Sequence, residues 1–178
     1  MTENLPVVYI SALLAILVFA AIYILREVIK TRKQESTFSR LQKKLKQEKG
    51  TAEEYYELGS LYLEKKLFVQ SITLLNKALK VDKELEAENQ ALIHNAMGYA
   101  YFAQEQYDIA IRQYKDALKL YPEYVIALNN LGNVYEKKQM IIKAVETYKE
   151  VLKIDPENKI AQRRINSLEK RLVSSKSE

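Results

Sequence analysis

The chain opens on an apolar block and then changes period. From Asn4 to Leu25 no residue carries a charge, a run of 22 positions, and a helix of that length rises about 33 Å, enough to cross a hydrocarbon layer of about 30 Å. Tyr9 and Tyr23 stand near its two ends, where phenol rings favour the headgroup boundary, and Pro6 falls in the first turn, where a missing N–H does no harm. A cleaved leader would need a basic start, a shorter apolar core and a small-residue site followed by polar sequence. Here the leading residues hold Glu3 and no base, and Ala20-Ala21 runs on into more apolar residues. The pattern predicts an uncleaved anchor over 1–25. Beyond it, Phe38, Leu41 and Leu45 recur at helical spacing inside a basic stretch, so 26–50 reads as a basic juxtamembrane segment, either a solvated positive-inside flank or an amphipathic helix on the bilayer. Gly50 suits the end of one helix, and Thr51 with Glu54 three residues later forms a capping box for the next.

From Thr51 the apolar positions follow a helical period broken by short polar turns. They predict helices over about 52–65, 69–81, 89–104, 107–119, 123–138 and 141–153, with a last one from Pro156 to Leu172 and a frayed tail from Ser174. The chain also repeats. Leu58-Gly59-x-x-Tyr62, Met97-Gly98-x-x-Tyr101 and Leu131-Gly132-x-x-Tyr135 are one pattern in three copies, the last two offset by 34 residues. Ala110, Tyr114, Ala117 and Pro122 are answered at that same offset of 34 by Ala144, Tyr148, Val151 and Pro156. The first copy gives Ser71, Leu75 and Ala78, with Lys83 in place of the proline, and five extra residues separate it from the second, near the acidic stretch Asp82 to Glu88.

This pattern resembles the tetratricopeptide repeat (TPR) family, whose unit is a helix–turn–helix of about 34 residues. The resemblance covers 51–158, with repeats at about 52–85, 91–124 and 125–158. It implies an all-α fold, a right-handed α-solenoid of three helix pairs, closed by a capping helix over 159–178. Glycine sits where paired helices approach most closely, aromatics fill the space between pairs, and proline stops one unit and starts the next. The cap follows from Ala161, Ile165, Leu168 and Leu172 on one stripe, with Arg163, Arg164, Glu169, Lys170 and Arg171 around it.

Charge changes the picture only beside the anchor. Residues 26–50 hold nine bases against three acids, whereas 51–178 hold 19 of each. Basic flanks stay on the side of synthesis, so the N-terminus is expected to cross and the repeats to face the cytoplasm or stroma. The same bases attract anionic lipid at about 1 kcal/mol each, which makes membrane lipid a partner of anchor and flank. No interleaving of aromatic and basic residues points to stacked bases, so nucleic acid is not expected.

Candidate chemistry is sparse. There is no cysteine and one histidine, and three of the four glycines occupy the close-approach position, which leaves none for a phosphate-cradling loop. No catalytic constellation, cofactor site or metal site is expected, and the protein is not read as an enzyme. His94 falls where the family places a large packing residue, so it reads as a core or groove-edge histidine. Tyr62, Tyr101, Tyr135, Tyr114 and Tyr148 fall on repeat-consensus core positions and read as packing.

The resemblance implies a concave face lined by the first helix of each pair, where protein partners dock. By register that groove presents Tyr56, Ser60 and Leu63 from the first repeat, Leu92, Asn95, Tyr99 and Phe102 from the second, and Ile126, Asn129, Asn130 and Asn133 from the third. Tyr99 and Phe102 form an aromatic shelf beside amides that suit a peptide backbone. Family members that grip the C-terminal carboxylate of heat-shock chaperones do so with lysines, asparagines and an arginine. The matching positions here hold Tyr56, Ser60, Ala96, Ile126 and Asn130, so that clamp is not expected.

As a whole, the anchor Leu5 to Leu25, the basic flank and three repeats with a short cap resemble the small single-anchor TPR proteins of cyanobacteria and plastid genomes implicated in assembly or stability of photosystem I. The resemblance implies a scaffold in the thylakoid membrane, with photosystem I subunits or assembly intermediates as partners. The alternative is a TPR receptor or adaptor in protein translocation or envelope biogenesis.

Overall fold

The computed structural model describes the backbone of residues 5–174 and the side chains of 9–172. The N-terminus around Glu3 and the tail beyond Ser174 lie outside the described residues. The chain divides into two units, residues 1–47 and 48–178, each taken by itself.

The first unit is one helix, α1 (Leu5–Gln47), of 43 residues, about 65 Å long at 1.5 Å per residue. No glycine or proline lies between Pro6 and Gly50, so nothing interrupts it. Phe38, Leu41 and Leu45 continue the same helix as the apolar run. Consecutive residues such as Ile16, Leu17, Val18 and Phe19 are all exposed. At 100° per residue they cover the whole circumference, as in a helix that needs an apolar solvent on every side. By length and composition α1 can cross a membrane.

Among the described residues the second unit is seven helices: α2 (Ala52–Glu64), α3 (Phe68–Val81), α4 (Ala87–Ala103), α5 (Tyr107–Leu120), α6 (Val125–Lys137), α7 (Ile141–Ile154) and α8 (Lys159–Ser174). They pair as α2 with α3, α4 with α5 and α6 with α7, and α8 packs on α7. Thr51 caps α2 as its sequence predicts. The Glu54 N–H donates to Thr51 Oγ1 at 3.3 Å, and the Thr51 N–H donates to Glu54 Oε2 at 3.2 Å.

The same turn joins each pair. Lys66, Glu105 and Gln139 adopt the left-handed conformation, with φ of 59°, 60° and 58°. The following N–H, from Leu67, Gln106 or Met140, donates to the carbonyl of Tyr62, Tyr101 or Tyr135 at 2.9 Å each time. This is a Schellman cap with a side chain where glycine would relieve strain. Glu105 is exposed and the left-handed region costs an L-residue about 1–2 kcal/mol, part of which glycine returns as unfolded-chain entropy. Glu105→Gly is therefore expected to stabilise the unit by about 0.5–1 kcal/mol, measured by chemical denaturation.

The core lies between and within the pairs. Gly59, Gly98 and Gly132 let α2, α4 and α6 close onto Leu75, Tyr114 and Tyr148 of their partner helices. Ser71 takes the position held by Ala110 and Ala144, and its buried hydroxyl is satisfied by donating to the Gly59 carbonyl at 2.7 Å. The five extra residues before the second repeat become structure. α4 begins at Ala87, four residues ahead of the point set by α6 and the 34-residue offset, so most of the insertion is one more helical turn. Asp82 closes the bend before it by accepting the Glu84 N–H at 2.9 Å. Ala161, Ile165 and Leu168 of α8 are buried, and they sit 34 residues after Ala127, Leu131 and Val134 of α6. α8 thus takes the place of the first helix of a fourth unit.

Candidate interaction groove

The first helices of successive pairs touch one another, α2 with α4 and α4 with α6, whereas the second helices have no comparable contact. The stack therefore curves with the first helices on its inner side. All eleven residues expected on that face retain accessible surface. Tyr99 and Ile126 are the most open, 49% and 57% exposed. Tyr56, Ser60, Leu63, Leu92, Asn95, Phe102, Asn129, Asn130 and Asn133 are half-buried.

The aromatic shelf is narrower than its sequence suggests. Phe102 packs against the core and meets Tyr107 of α5, with ring centroids 5.8 Å apart and tilted by 49°. Tyr99 alone of the two presents an open ring. The amides are also partly committed to each other. Asn130 Nδ2 donates to Asn95 Oδ1 at 3.0 Å, and Asn95 Nδ2 donates to the Tyr124 hydroxyl at 3.3 Å, tying α4 to α6. Burial raises the Tyr124 phenol above its ordinary pKa, neighbouring Tyr56 adds to the shift, and the Asn95 hydrogen bond opposes it. Tyr124 stacks on Tyr121 at 5.6 Å. Asn129 Oδ1 is buried without a hydrogen-bond partner among the described residues.

Two features of this face escape a residue-by-residue reading. A shallow, mainly apolar pocket opens between α2 and α4, lined by Ala52, Tyr56, Leu85, Leu92 and Ile93 with Glu53 and Asn89 at its edge. Leu85 comes from the inserted segment, which no repeat pattern describes. The second is Ile160 of α8, 50% exposed. It lies 34 residues after Ile126, which itself lies 34 after Leu92, so an apolar row runs along the groove into the cap. The signal was present in the unbroken offset.

His94 is half-buried, and its Nδ1 lies 2.9 Å from Gln113 Oε1 on α5. The pair joins the two helices of the second repeat. Tyr114, Tyr135 and Tyr148 are buried, while Tyr62 and Tyr101 are half-buried at the turns whose carbonyls they supply. Among the described residues no group of three or more His, Asp or Glu is placed to hold a metal ion.

Models of the tetratricopeptide repeat match residues 52–85, 98–139 and 125–158. A ycf37 protein of Cyanophora paradoxa is 40% identical over 109 residues, 61% of this chain and 63% of the relative. One from Guillardia theta is 34% identical over 132 residues, 74% of each chain. The chloroplastic tetratricopeptide repeat domain-containing protein PYG7 of Arabidopsis thaliana is 32% identical over 125 residues, 70% of this chain and 41% of that protein. The match thus spans less than two thirds of the Cyanophora and Arabidopsis relatives. Among solved structures, MamA aligns with a TM-score of 0.68 at 25% identity, over 78% of this chain and 80% of that one. The first TPR of Spaghetti (RPAP3), solved with an HSP90 peptide, aligns with a TM-score of 0.62 at 20% identity, over 68% and 93%. The chain belongs to the tetratricopeptide repeat family, a family of protein-interaction scaffolds, and within it to the ycf37 proteins.

Proposed function

We propose that this protein is a membrane-anchored scaffold that holds photosystem I subunits or an assembly intermediate on the stromal or cytoplasmic side of the thylakoid membrane. The observation that carries the scaffold reading is the open surface of Tyr99 and Ile126 on the inner face of the stack. Exposed apolar groups grouped on a concave face are a liability unless a partner covers them. The composition of α1 supports the tether, apolar around its circumference and followed by bases that keep the repeats on the side of synthesis. A tether raises the local concentration of the groove near membrane partners, so affinity per contact can stay modest. The relatives support the plastid setting, since PYG7 is chloroplastic.

The test is co-purification of the intact chain from gently solubilised native membranes. Enrichment of photosystem I core subunits is the expected result. Translocation or envelope components in their place would overturn the photosynthetic reading while leaving the scaffold.

A further inference from the structure

The first helices of the stack carry a charge gradient that the second helices lack. α2 holds four acids and no base, α4 one acid and no base, α6 one of each, and α8 five bases against one acid. The formal charges of the four groove helices are therefore −4, −1, 0 and +4 in spatial order. The second helices show no such trend. α3 carries two bases and no acid, and α5 and α7 each carry three bases and two acids.

Helix dipoles do not account for the gradient. They favour acids in a first turn and bases in a last turn, which covers Glu53 of α2 and Arg171 of α8. Yet Glu64 closes α2 and Lys159 opens α8, each at the end its helix dipole disfavours, and Arg163 and Arg164 lie past the first turn, beyond the dipole's reach. Internal pairing does not absorb it either. Arg164 lies 3.7 Å from Glu136, but Arg163 is exposed and donates to the Lys159 carbonyl of its own helix at 3.0 Å. Lys170, Glu53 and Glu57 are exposed too.

We propose that the groove is polarised and takes an extended partner segment in one orientation, with basic residues over α2, apolar residues over Leu92, Tyr99 and Ile126, and acidic residues over α8. This rests on the groove being the interaction face. Adjacent helices pack about 8–10 Å apart, so α2 and α8 lie about 24–30 Å apart, and about eight extended residues separate the two charged ends of the segment. With a Debye length of about 8 Å at physiological ionic strength, the two ends act as separate fields. A reversed segment sets like charges together at both, so complementarity fixes direction more than it adds affinity.

The experiment uses the full chain in detergent micelles and fluorescent peptides of one composition. In one peptide lysines and glutamates are segregated to opposite ends of an apolar centre; in the other they are interleaved. The segregated peptide is made in both chain directions. One direction is expected to bind about tenfold or more tighter than the interleaved peptide at about 50 mM salt, with the advantage shrinking at about 300 mM. The double substitution Arg163→Glu and Lys170→Glu, on exposed positions that leave the packing intact, takes α8 from +4 to 0 and is expected to shrink the advantage. Adding Glu53→Lys and Glu57→Lys takes α2 from −4 to 0 as well and is expected to abolish it.

Equal binding of segregated and interleaved peptides, lost on Tyr99→Ala, overturns the polarity while the groove reading stands. Indifference to the charge reversals overturns it as well. Self-association sensitive to the same reversals and not displaced by peptide assigns the charged ends to a second copy and overturns the proposed occupant. Binding of no peptide overturns the proposal, and the groove reading is then judged on co-purification alone.

Discussion

Tyr148→Ala is expected to lower the unfolding free energy of the repeat unit by about 3–5 kcal/mol, the range for removing a buried aromatic side chain. Tyr148 is 1% exposed and belongs to the main core cluster together with Tyr114, Leu131, Ala144 and Ile165. Its ring lies against Gly132, where the α6–α7 pair closes. Its hydroxyl donates to Glu136 Oε1 at 2.7 Å, and the same carboxylate oxygen lies 3.7 Å from Arg164 on α8. One side chain thus joins α7, α6 and the charged contact to the cap. Truncation opens a cavity and leaves the Glu136 carboxylate, only 14% exposed, with a weaker partner.

Tyr148→Phe separates the two contributions. It keeps the ring and removes the bond to an ionised acceptor, for an expected cost of about 1–3 kcal/mol. Chemical denaturation followed by helix content checks both variants. Because a solenoid is stabilised by nearest-neighbour interfaces, loss of protection from hydrogen exchange should begin in α6–α8. A cost below about 1 kcal/mol for the alanine variant would contradict the packing described.

Gly132→Ala and Gly98→Ala are expected to cost about 1–3 kcal/mol each, through overpacking rather than backbone conformation. No glycine among the described residues has positive φ. A Cβ at Gly132 would meet the Tyr148 ring at 2.7 Å, and one at Gly98 would meet the Tyr114 ring at 2.6 Å. Both rings are fully enclosed and have nowhere to move. The first repeat supplies the control, because a Cβ at Gly59 meets Leu75 at 3.1 Å, a contact that a shift of a few tenths of an ångström relieves. Gly59→Ala is accordingly expected to cost less than about 1 kcal/mol.

The first repeat also shows what compensates. Combining Gly132→Ala with Tyr148→Leu imitates the Gly59–Leu75 pair, and the double variant should be more stable than the sum of its parts by about 1 kcal/mol or more. Strict additivity would mean that the glycines are not there to admit the tyrosines.

Much of the architecture was legible because each repeat states the same physics three times. A small residue at Gly59, Gly98 and Gly132, an apolar one at Leu75, Tyr114 and Tyr148, and a break between them repeat with almost no drift, so the register survives substitution at single positions. The Thr51–Glu54 box was readable because both partners lie within one turn. What lacked a repeat to compare with was not legible. The five-residue insertion, acidic and without a consensus, could be read as loop, yet most of it lengthens α4, and it sends Leu85 into the groove pocket. A change of composition at Arg26 looks like a boundary, but helices stop at glycine, proline or caps, and none occurs before Gly50.

For the groove, register assigns residues to a face of the stack but not the state of each side chain. Asn95 and Asn130 spend part of their hydrogen-bonding capacity on each other, a contact across 35 positions that no local pattern encodes. Phe102 occupies a groove position but turns its ring towards Tyr107. Ile160 was overlooked because α8 reads first as a charged cap.

The most direct measurement of the central claim, that the inner face of the stack captures protein partners at the membrane, is quantitative co-purification by the native chain and by a Tyr99→Ala, Ile126→Ala double variant. Both residues are open to solvent, so helix content and denaturation midpoint should be nearly unchanged, while Phe102 is left intact because it packs on Tyr107. The account predicts that the partners enriched by the native chain fall about tenfold or more with the variant, as removal of two central apolar anchors implies. Equal recovery of the same partners by both chains would contradict it.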